Sequence, residues 1–271
     1  MAGKNSYPEL ANIKVVAIDL DGVVYRGRAM IEGADVAICN LRQSGLQVSF
    51  ATNSSVRTRA DIAAKLRDMG IPAEEDEVLT SAYIAGLLIK SIGAGKNVLV
   101  IGAESLRKEI VQAGSMVVDG PPCDVVLVGM DTSFSYNKIQ MSMEAIAGGA
   151  KFVACNRDAS FPGDNGRIFP GCGPMVAAVE AAVGFPPHWI AGKPNVLMLD
   201  AVSAQYHVGP REILVVGDSM ASDIEMAVAF GSPSVLVAPG PFISSSGTAG
   251  PTCIIESLAD LPTLLEDRAG F

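Results

Sequence analysis

The feature that most constrains this chain is a short apolar run that ends in two carboxylates. Val15–Ile18 is uninterrupted by any polar residue, and Asp19, Leu20, Asp21 and Gly22 follow it directly. An apolar run broken by charge and then glycine predicts a buried parallel strand whose carboxyl end opens into a turn. Ligands of open α/β sheets bind at such strand ends. The sequence therefore predicts a site that begins at Asp19.

The spacing of the two acids indicates chemistry as well as position. Asp19 and Asp21 are two residues apart, so on an extended backbone their side chains share one face and lie about 7 Å apart along the chain. Like charges at that separation repel unless a cation lies between them or one carboxyl group holds a proton. The pattern favours a metal-assisted site with one acid as nucleophile and the other as acid and base. The alternative is a strand end with two solvated, turn-forming acids.

Composition narrows the class of protein. The chain has 271 residues, of which 49% are hydrophobic, so it can bury the core of one large α/β domain or of two smaller ones. A net charge of −9 argues against a nucleic-acid partner, because binding to a phosphate backbone needs clustered Lys and Arg. The charge is compatible with a small anionic ligand that is held together with a divalent cation. Five cysteines without a C-x-x-C motif predict neither a disulfide framework nor a zinc site.

The sequence contains no recognisable targeting or membrane-spanning segment. No apolar stretch approaches the roughly 20 residues of a membrane span. Residues 1–6 lack the apolar segment of a signal peptide. We therefore expect a cytoplasmic protein without a membrane partner.

Short apolar runs alternate with amphipathic stretches along the chain, which is the pattern of βαβ units around a parallel sheet. Besides the first run, the predicted strands are 47–51, 98–101, 125–128, 152–155, 213–216 and 234–237. The expected fold class is α/β with a Rossmann-like parallel sheet. The serine-rich stretch 244–247 predicts a loop.

Two further segments carry groups that suit a phosphate. Thr52 and Asn53 follow the second predicted strand and offer a hydroxyl and an amide that can hydrogen-bond a phosphate oxygen. Lys193 lies in a Gly-Lys-Pro sequence, whose glycine and proline fix the backbone around the cation. Turn and capping chemistry is the ordinary alternative for Thr52 and Asn53, and a solvated surface position is the alternative for Lys193.

A late strand end supplies two more acids. Asp218 follows the predicted strand 213–216, so we expect it on the same sheet edge as Asp19. Asp223 comes five residues later. Its alternative is a helix start, since Ser222 and Glu225 have the spacing of a capping box and an acid in the first turn favours the helix dipole.

Four segments, taken in chain order, resemble the haloacid dehalogenase superfamily of phosphotransferases. They are the stretch 19–23, Thr52-Asn53, the Gly-Lys-Pro sequence at Lys193 and the stretch 217–223. The resemblance extends from about Lys14 to the last predicted strand. Asn156-Arg157-Asp158, Phe161-Pro162 and the stretch 169–173 further resemble the NagD-like branch, also called the p-nitrophenyl phosphatase or class IIA group. That branch more often has Asn-Pro-Asp where this chain has Asn-Arg-Asp, and this departure leaves the substrate open.

The resemblance implies a role for each motif residue. Asp19 would be the nucleophile that attacks phosphorus, and Asp21 would be the general acid and base. The implied Mg²⁺ ligands are Asp19, Asp21 through its backbone carbonyl, Asp218 and Asp223. The implied phosphate-binding residues are Thr52, Asn53 and Lys193. The implied substrate-specificity residues are Asn156, Arg157, Asp158 and Phe161.

The spacing of the motifs also predicts a second domain. About 140 positions separate Asn53 from Lys193, whereas a crossover unit needs only about 30 residues. We expect a core domain formed by 1–81 and 188–271 and an inserted α/β cap at 82–187. The sequence leaves the oligomeric state open between a monomer and a homodimer formed through the cap.

The expected function is Mg²⁺-dependent hydrolysis of a small phosphorylated metabolite through an aspartyl-phosphate. The substrate classes considered are p-nitrophenyl phosphate, phosphoglycolate, pyridoxal phosphate, and sugar or nucleoside monophosphates. A phosphomutase or phosphotransferase on the same core is one alternative. A phospho-accepting regulatory or binding protein is another, although such a protein has no use for a cap. A dehalogenase is disfavoured, because that branch has no need of a metal site.

Overall fold

The computed structural model describes residues 7–93, 97–162, 167–237 and 250–266, without the side chain of residue 162. The predicted loop at 244–247 lies outside the described residues. None of the helices in the described part is long and apolar enough to cross a membrane.

The chain forms two compact units. The first comprises the chain up to Thr52, Ala63–Val78 and the chain from Lys193 onward, and the second comprises Asn53–Ile62 and Leu79–Gly192. The predicted cap, 82–187, lies within the second unit.

The second unit also takes in the segment 53–62, which the motif spacing assigns to the core domain. Hydrogen bonds explain this difference. The backbone carbonyl of Asn53 accepts from Ser81 Oγ at 2.8 Å and from Asn156 Nδ2 at 2.7 Å. Ser55 Oγ accepts from the backbone N–H of Met130 at 3.0 Å.

The strands of the described residues alternate with helices for most of the chain. They are β1 (Val15–Ile18), β2 (Tyr25–Arg26), β3 (Ala29–Met30), β4 (Gln47–Thr52), β5 (Val78–Thr80), β6 (Asn97–Ile101), β7 (Met116–Val118), β8 (Val125–Val128), β9 (Lys151–Ala154), β10 (Ser160–Pro162), β11 (Ile168–Pro170), β12 (Trp189–Ile190), β13 (Ile213–Gly217), β14 (Ser234–Val237) and β15 (Cys253–Ile255). Each run predicted as a strand forms one.

The α-helices follow the same order. They are α1 (Ala34–Gln43), α2 (Arg59–Asp68), α3 (Ser81–Ser91), α4 (Glu104–Gln112), α5 (Tyr136–Ala147), α6 (Gly173–Val183), α7 (Leu197–Tyr206), α8 (Glu225–Phe230) and α9 (Leu261–Glu266).

The first unit is built on a sheet with the strand order β15-β14-β13-β1-β4-β5. β1 pairs in parallel with β4 on one side and with β13 on the other, so that Ile18 is level with Phe50 and Val216. All four residues of β1 are buried, which explains its uninterrupted apolar sequence. The carboxyl ends of β1, β4 and β13 therefore lie side by side at one edge of the sheet.

The second unit has its own parallel sheet, with the order β12-β9-β8-β6-β7. Its central strand β8 is buried along its whole length. The strands β10 and β11 form a separate antiparallel pair. Two parallel sheets with intervening helices confirm the predicted α/β class.

Candidate active site

The site in the first unit starts at the end of β1. The backbone N–H of Asp19 donates to the carbonyl of Val216 at 2.8 Å, which continues the β1–β13 ladder by one residue. Asp218 follows Gly217, the last residue of β13. Asp19 and Asp218 thus leave neighbouring parallel strands at the same edge, as the sequence predicts. The Asp19 residue is only 7% exposed.

Lys193 is a buried member of this site and not a solvated surface residue. Its Nζ lies 2.5 Å from Asp19 Oδ1 and 2.6 Å from Asp223 Oδ1, and it donates to the carbonyl of Ala51 at 3.0 Å. These acceptors match the three N–H bonds of an ammonium group. The residue is 3% exposed, so the contacts are made away from bulk water.

Asp223 reaches the site from an irregular turn. Met220–Ile224 forms a π turn before α8, and the Asp223 Oδ2 accepts from the backbone N–H of Ser219 at 3.2 Å. The capping box that was the alternative for this segment does not form, because Ser222 lies inside the π turn and α8 begins only at Glu225. π turns of this kind are often found at functional sites.

Two glycines leave room for the acids. A Cβ on Gly22 would overlap the carboxylate of Asp218, and a Cβ on Gly217 would overlap the side chain of Asp223. Gly22 also has a φ of +97°, which side chains with a Cβ rarely adopt. The glycines in these motifs therefore have a steric role at the carboxylates.

The three acids form one group. Asp19, Asp218 and Asp223 each offer a carboxylate oxygen, and these oxygens all lie within 4.8 Å of one another. One ammonium and three carboxylates leave an excess of negative charge, which a divalent cation would balance. Carboxylate oxygens are the ligands that Mg²⁺ prefers, so the residues present fit this ion.

The ionisation of the group reflects its burial and its excess charge. Burial raises the pKa of Asp19 well above its ordinary value; Asp223 and Asp218 raise it further, and Lys193 lowers it. Burial, followed by the charge of Asp223, raises the pKa of Asp218 to about 6. Burial alone would lower the pKa of Lys193, but the carboxylates of Asp19 and Asp223 raise it well above its ordinary value. Lys193 is therefore a cation at neutral pH.

Asp21 is not a member of the group of three carboxylates among the described residues. It is exposed, and its backbone forms an isolated β-bridge with Tyr25. Thr52 is the last residue of β4 and is buried. Its neighbour Ala51 supplies the carbonyl that Lys193 contacts.

Asn53 belongs to the second unit and is held there by several hydrogen bonds. Its Nδ2 donates to Asp158 Oδ1 at 3.2 Å and to Asp158 Oδ2 at 3.0 Å. Asn156 is buried, and its Oδ1 accepts from the backbone N–H of Asp158 at 3.0 Å. Asn156 and Asp158 are thus brought together with Asn53, although about 100 positions separate them in sequence.

The other two predicted specificity residues are exposed. The guanidinium of Arg157 is paired with Glu180 of α6. The ring of Phe161 stacks on Phe169 with 5.7 Å between centroids. Sequence reasoning missed Glu180, since a single acid on an otherwise apolar helix carries no signal of its partner.

Asp131 also ends a strand-to-loop junction, but it has a different environment. Its Oδ2 lies 2.6 Å from Lys138 Nζ, and its Oδ1 accepts from the Ser133 N–H and hydroxyl. These contacts link Asp131 to the start of α5 and give it a local structural role.

A parallel sheet with clustered acids and a lysine at the carboxyl ends of its strands is typical of α/β enzymes that hydrolyse or transfer phosphoryl groups. Comparison with known proteins identifies the group. Residues 16–115 match the family model described as haloacid dehalogenase-like hydrolase, and residues 190–261 match a second model, described as HAD-hydrolase-like.

Relatives span nearly the whole chain. The sugar-phosphatase AraL of Bacillus subtilis is 30% identical over 254 residues, which is 93% of each chain. The solved structure of NagD from Escherichia coli K-12 has a TM-score of 0.82 at 26% identity and covers 92% of this chain and 98% of that chain. A glycerol phosphate phosphatase from Mycobacterium tuberculosis was solved in complex with magnesium. Its structure has a TM-score of 0.82 at 32% identity, and the match covers 93% of this chain and 77% of that chain.

The chain therefore belongs to the haloacid dehalogenase-like hydrolases, in their NagD-like or p-nitrophenyl phosphatase branch. It is a phosphoric monoester hydrolase of that family.

Proposed function

We propose that this protein hydrolyses small phosphomonoesters with the help of Mg²⁺ through an aspartyl-phosphate on Asp19. The observation that carries the proposal is the contact of Lys193 with Asp19 within the group formed by Asp19, Asp218 and Asp223. This arrangement combines a nucleophile at a strand end, a buried cation and further acids at one sheet edge.

Asp19 must be ionised to attack phosphorus. Burial and the neighbouring acids oppose its ionisation, and the ammonium of Lys193 favours it. Because Lys193 donates to Oδ1, it also fixes the rotation of the carboxylate. A fixed, ionised carboxylate is what a displacement at phosphorus requires.

Asp21 is proposed as the general acid and base. It would protonate the leaving oxygen and then take a proton from the water that hydrolyses the intermediate. Its exposure supports this role, since the residue must meet both the leaving group and water.

The metal ligands are proposed to be Asp19, Asp218, Asp223 and the backbone carbonyl of Asp21. When bound, Mg²⁺ would neutralise the excess charge of this group and polarise the phosphoryl group. Thr52, Asn53 and Lys193 would contact the equatorial phosphate oxygens, where most of the charge in a phosphoryl transfer lies.

The substrate class is proposed from the relatives and the loop. Their names describe phosphatases of sugar phosphates and of glycerol phosphate. We propose a small phosphomonoester with a polar leaving group. The cap at 82–187 would select it, with the exposed Arg157 and Phe161 as contacts.

A panel assay tests the function. Purified protein would be incubated with p-nitrophenyl phosphate, phosphoglycolate, pyridoxal phosphate, a sugar phosphate and a nucleoside monophosphate, each alone, and released phosphate would be measured. We expect release from at least one compound, with the largest kcat/KM for the sugar phosphate. Isomerised product without free phosphate would instead favour a phosphomutase. A persistent phosphoprotein without turnover would favour a regulatory protein.

A further inference from the structure

We propose that Asp158 and Asn156 are positioning residues for Asn53 and do not select the substrate. The proposal rests on the proposed function, in which Asn53 is a phosphate ligand. The contacts themselves lie within the second unit and involve described side chains only.

Contacts at both ends of the Asn53 amide define its orientation. Its Nδ2 lies 3.2 Å and 3.0 Å from the two carboxylate oxygens of Asp158, so the NH₂ end of the amide faces an acceptor-only group. On its other end, Asn53 Oδ1 lies against Gly192, where a Cβ would overlap it. The carboxylate and the glycine together define which way the amide points.

The backbone carbonyl of Asn53 is also held by hydrogen bonds. Its carbonyl accepts from Asn156 Nδ2 at 2.7 Å and from Ser81 Oγ at 2.8 Å. Asn156 uses its other amide atom, Oδ1, to accept from the N–H of Asp158. A single buried side chain therefore ties the Asn53 backbone to the loop that carries Asp158.

Close backbone packing holds the loop that carries Asp158. The carbonyl of Asp158 accepts from the N–H of Gly173 at 2.9 Å. A Cβ on Gly171 would overlap the Asp158 carbonyl, and one on Gly173 would overlap the carbonyl of Arg157. The segment that leads into α6 thus packs so closely on this loop that a side chain at Gly171 or Gly173 would clash with it.

The negative charge of Asp158 favours a contact with the Asn53 amide over a contact with the phosphate. A carboxylate beside a phosphate dianion repels it, so Asp158 is a poor direct ligand for the phosphate. A hydrogen bond to a charged acceptor is stronger than a neutral one. The amide nitrogen carries two protons and can serve a carboxylate and a phosphate oxygen together. Asp158 is therefore suited to act through Asn53, and buried Asn156 is unsuited to meet a solute.

A double-mutant cycle tests this dependence. The variants are Asn53→Ala, Asp158→Ala and their combination, with kcat and KM measured on p-nitrophenyl phosphate and on a sugar phosphate. We expect Asp158→Ala to lower kcat/KM by about 10-fold on both substrates alike, and to have almost no further effect when Asn53 is already alanine. Asp158→Asn keeps one oxygen acceptor and should recover part of the loss. The control Asp119→Ala removes an exposed acid of the same unit that is paired with Arg107, and should leave kcat/KM unchanged.

The outcomes separate the two proposals. Unequal losses on the two substrates would show that Asp158 contacts the leaving group, and a loss that adds to that of Asn53→Ala would show that Asp158 acts independently of Asn53. Either result would overturn the positioning role. Full activity of Asn53→Ala would overturn it as well, together with the phosphate role of Asn53, while leaving the nucleophile assignment standing.

A second readout does not need turnover. The side-chain NH₂ signals of Asn53 in an NMR spectrum should exchange slowly with water in the wild-type protein, fast in Asp158→Ala, and at an intermediate rate in Asp158→Asn, which keeps one oxygen acceptor. Unchanged exchange would contradict the proposal even if the protein hydrolysed none of the phosphate esters. Thermal unfolding of each variant shows whether it is folded, and Asp158→Asn, which is nearly isosteric, serves if the alanine variant is not.

Discussion

The Nζ of Lys193 lies 2.5 Å from Oδ1 of Asp19, although 174 positions separate the two residues in sequence. The same ammonium contacts Asp223 at 2.6 Å. One buried cation thus links the end of β1 to the π turn that follows β13. It determines both the stability of the acid group and the ionisation of the proposed nucleophile.

Removal of this cation should affect stability and activity together. In Lys193→Met the buried acids lose their partner, which typically costs about 3–5 kcal/mol. We expect the urea midpoint in EDTA to fall accordingly and phosphate release to fall by about 10²-fold or more. Mg²⁺ should recover part of the stability and little of the activity. Lys151→Met, at an exposed lysine, is the control. An unchanged midpoint for Lys193→Met would mean that the contact does not stabilise the fold.

A pair of glycine variants separates backbone strain from damage at the site. Gly22 and Gly45 have similar φ values, +97° and +84°, but only at Gly22 does a Cβ overlap a carboxylate. Both Gly→Ala changes should destabilise by about 1–2 kcal/mol, since alanine is strained in this region. Only Gly22→Ala should also raise the Mg²⁺ concentration needed for half-maximal activity, by about 10-fold or more. Equal metal requirements for both variants would argue against Asp218 as a ligand.

The ion pair between buried Asp131 and half-buried Lys138 should give stability that depends on pH. Burial raises the pKa of Asp131, but Lys138 and Ser133 outweigh this effect and hold the pKa below its ordinary value. Because the folded pKa is the lower one, the stabilisation is present above the unfolded pKa of about 3.9 and is lost as the pH falls through the folded value.

Asp131→Asn should therefore lower the urea midpoint at pH 7, and the difference from wild type should shrink between about pH 4 and pH 3. Asp119→Asn, at an exposed ion pair, should have little effect at either pH. A difference for Asp131→Asn that stays constant down to pH 3 would show that the carboxylate charge is not the cause.

Arg157 should influence the choice of substrate. We expect Arg157→Ala to change the ratio of kcat/KM between phosphoglycolate and p-nitrophenyl phosphate by about 10-fold, or about 1.4 kcal/mol, in favour of the latter. Glu180→Gln removes the acid that pairs with Arg157, and should shift the ratio in the opposite direction. Equal losses on both substrates for Arg157→Ala would mean that this side chain does not contact the leaving group.

Local patterns predicted the sheet and much of its edge. Apolar runs such as 15–18 and 125–128 become buried central strands because a parallel strand covered on both faces has no polar position. For the same reason, the acids that end β1 and β13 could be assigned to one edge from their position after apolar runs. The order of the parallel strands determines which side chains meet at their carboxyl ends. The alternation of strands and helices in the sequence indicates that the strands are parallel.

Long-range contacts could not be predicted in this way. The same Gly-Lys-Pro sequence would suit a solvated lysine, and only the fold brings Lys193 to Asp19. Asp223 fits a helix cap by sequence, yet the π turn directs it to Lys193. The contact of Asn53 with Asp158 depends on how the second unit packs, and no local pattern encodes it. The oligomeric state stays open between a monomer and a homodimer formed through the cap, and the domain limits at 82 and 187 stay predictions.

The most direct test of the account is to trap the phosphorylated residue. Asp21→Asn should still allow attack on p-nitrophenyl phosphate, whose leaving group needs little protonation, but slow the hydrolysis of the intermediate by about 10²–10⁴-fold. Radiolabelled substrate, an acid quench within milliseconds and peptide mapping by mass spectrometry would locate the label. We expect a label on Asp19 that requires Mg²⁺ and is absent when Asp19→Asn is added. Label on another residue, or wild-type turnover by Asp19→Asn, would contradict it.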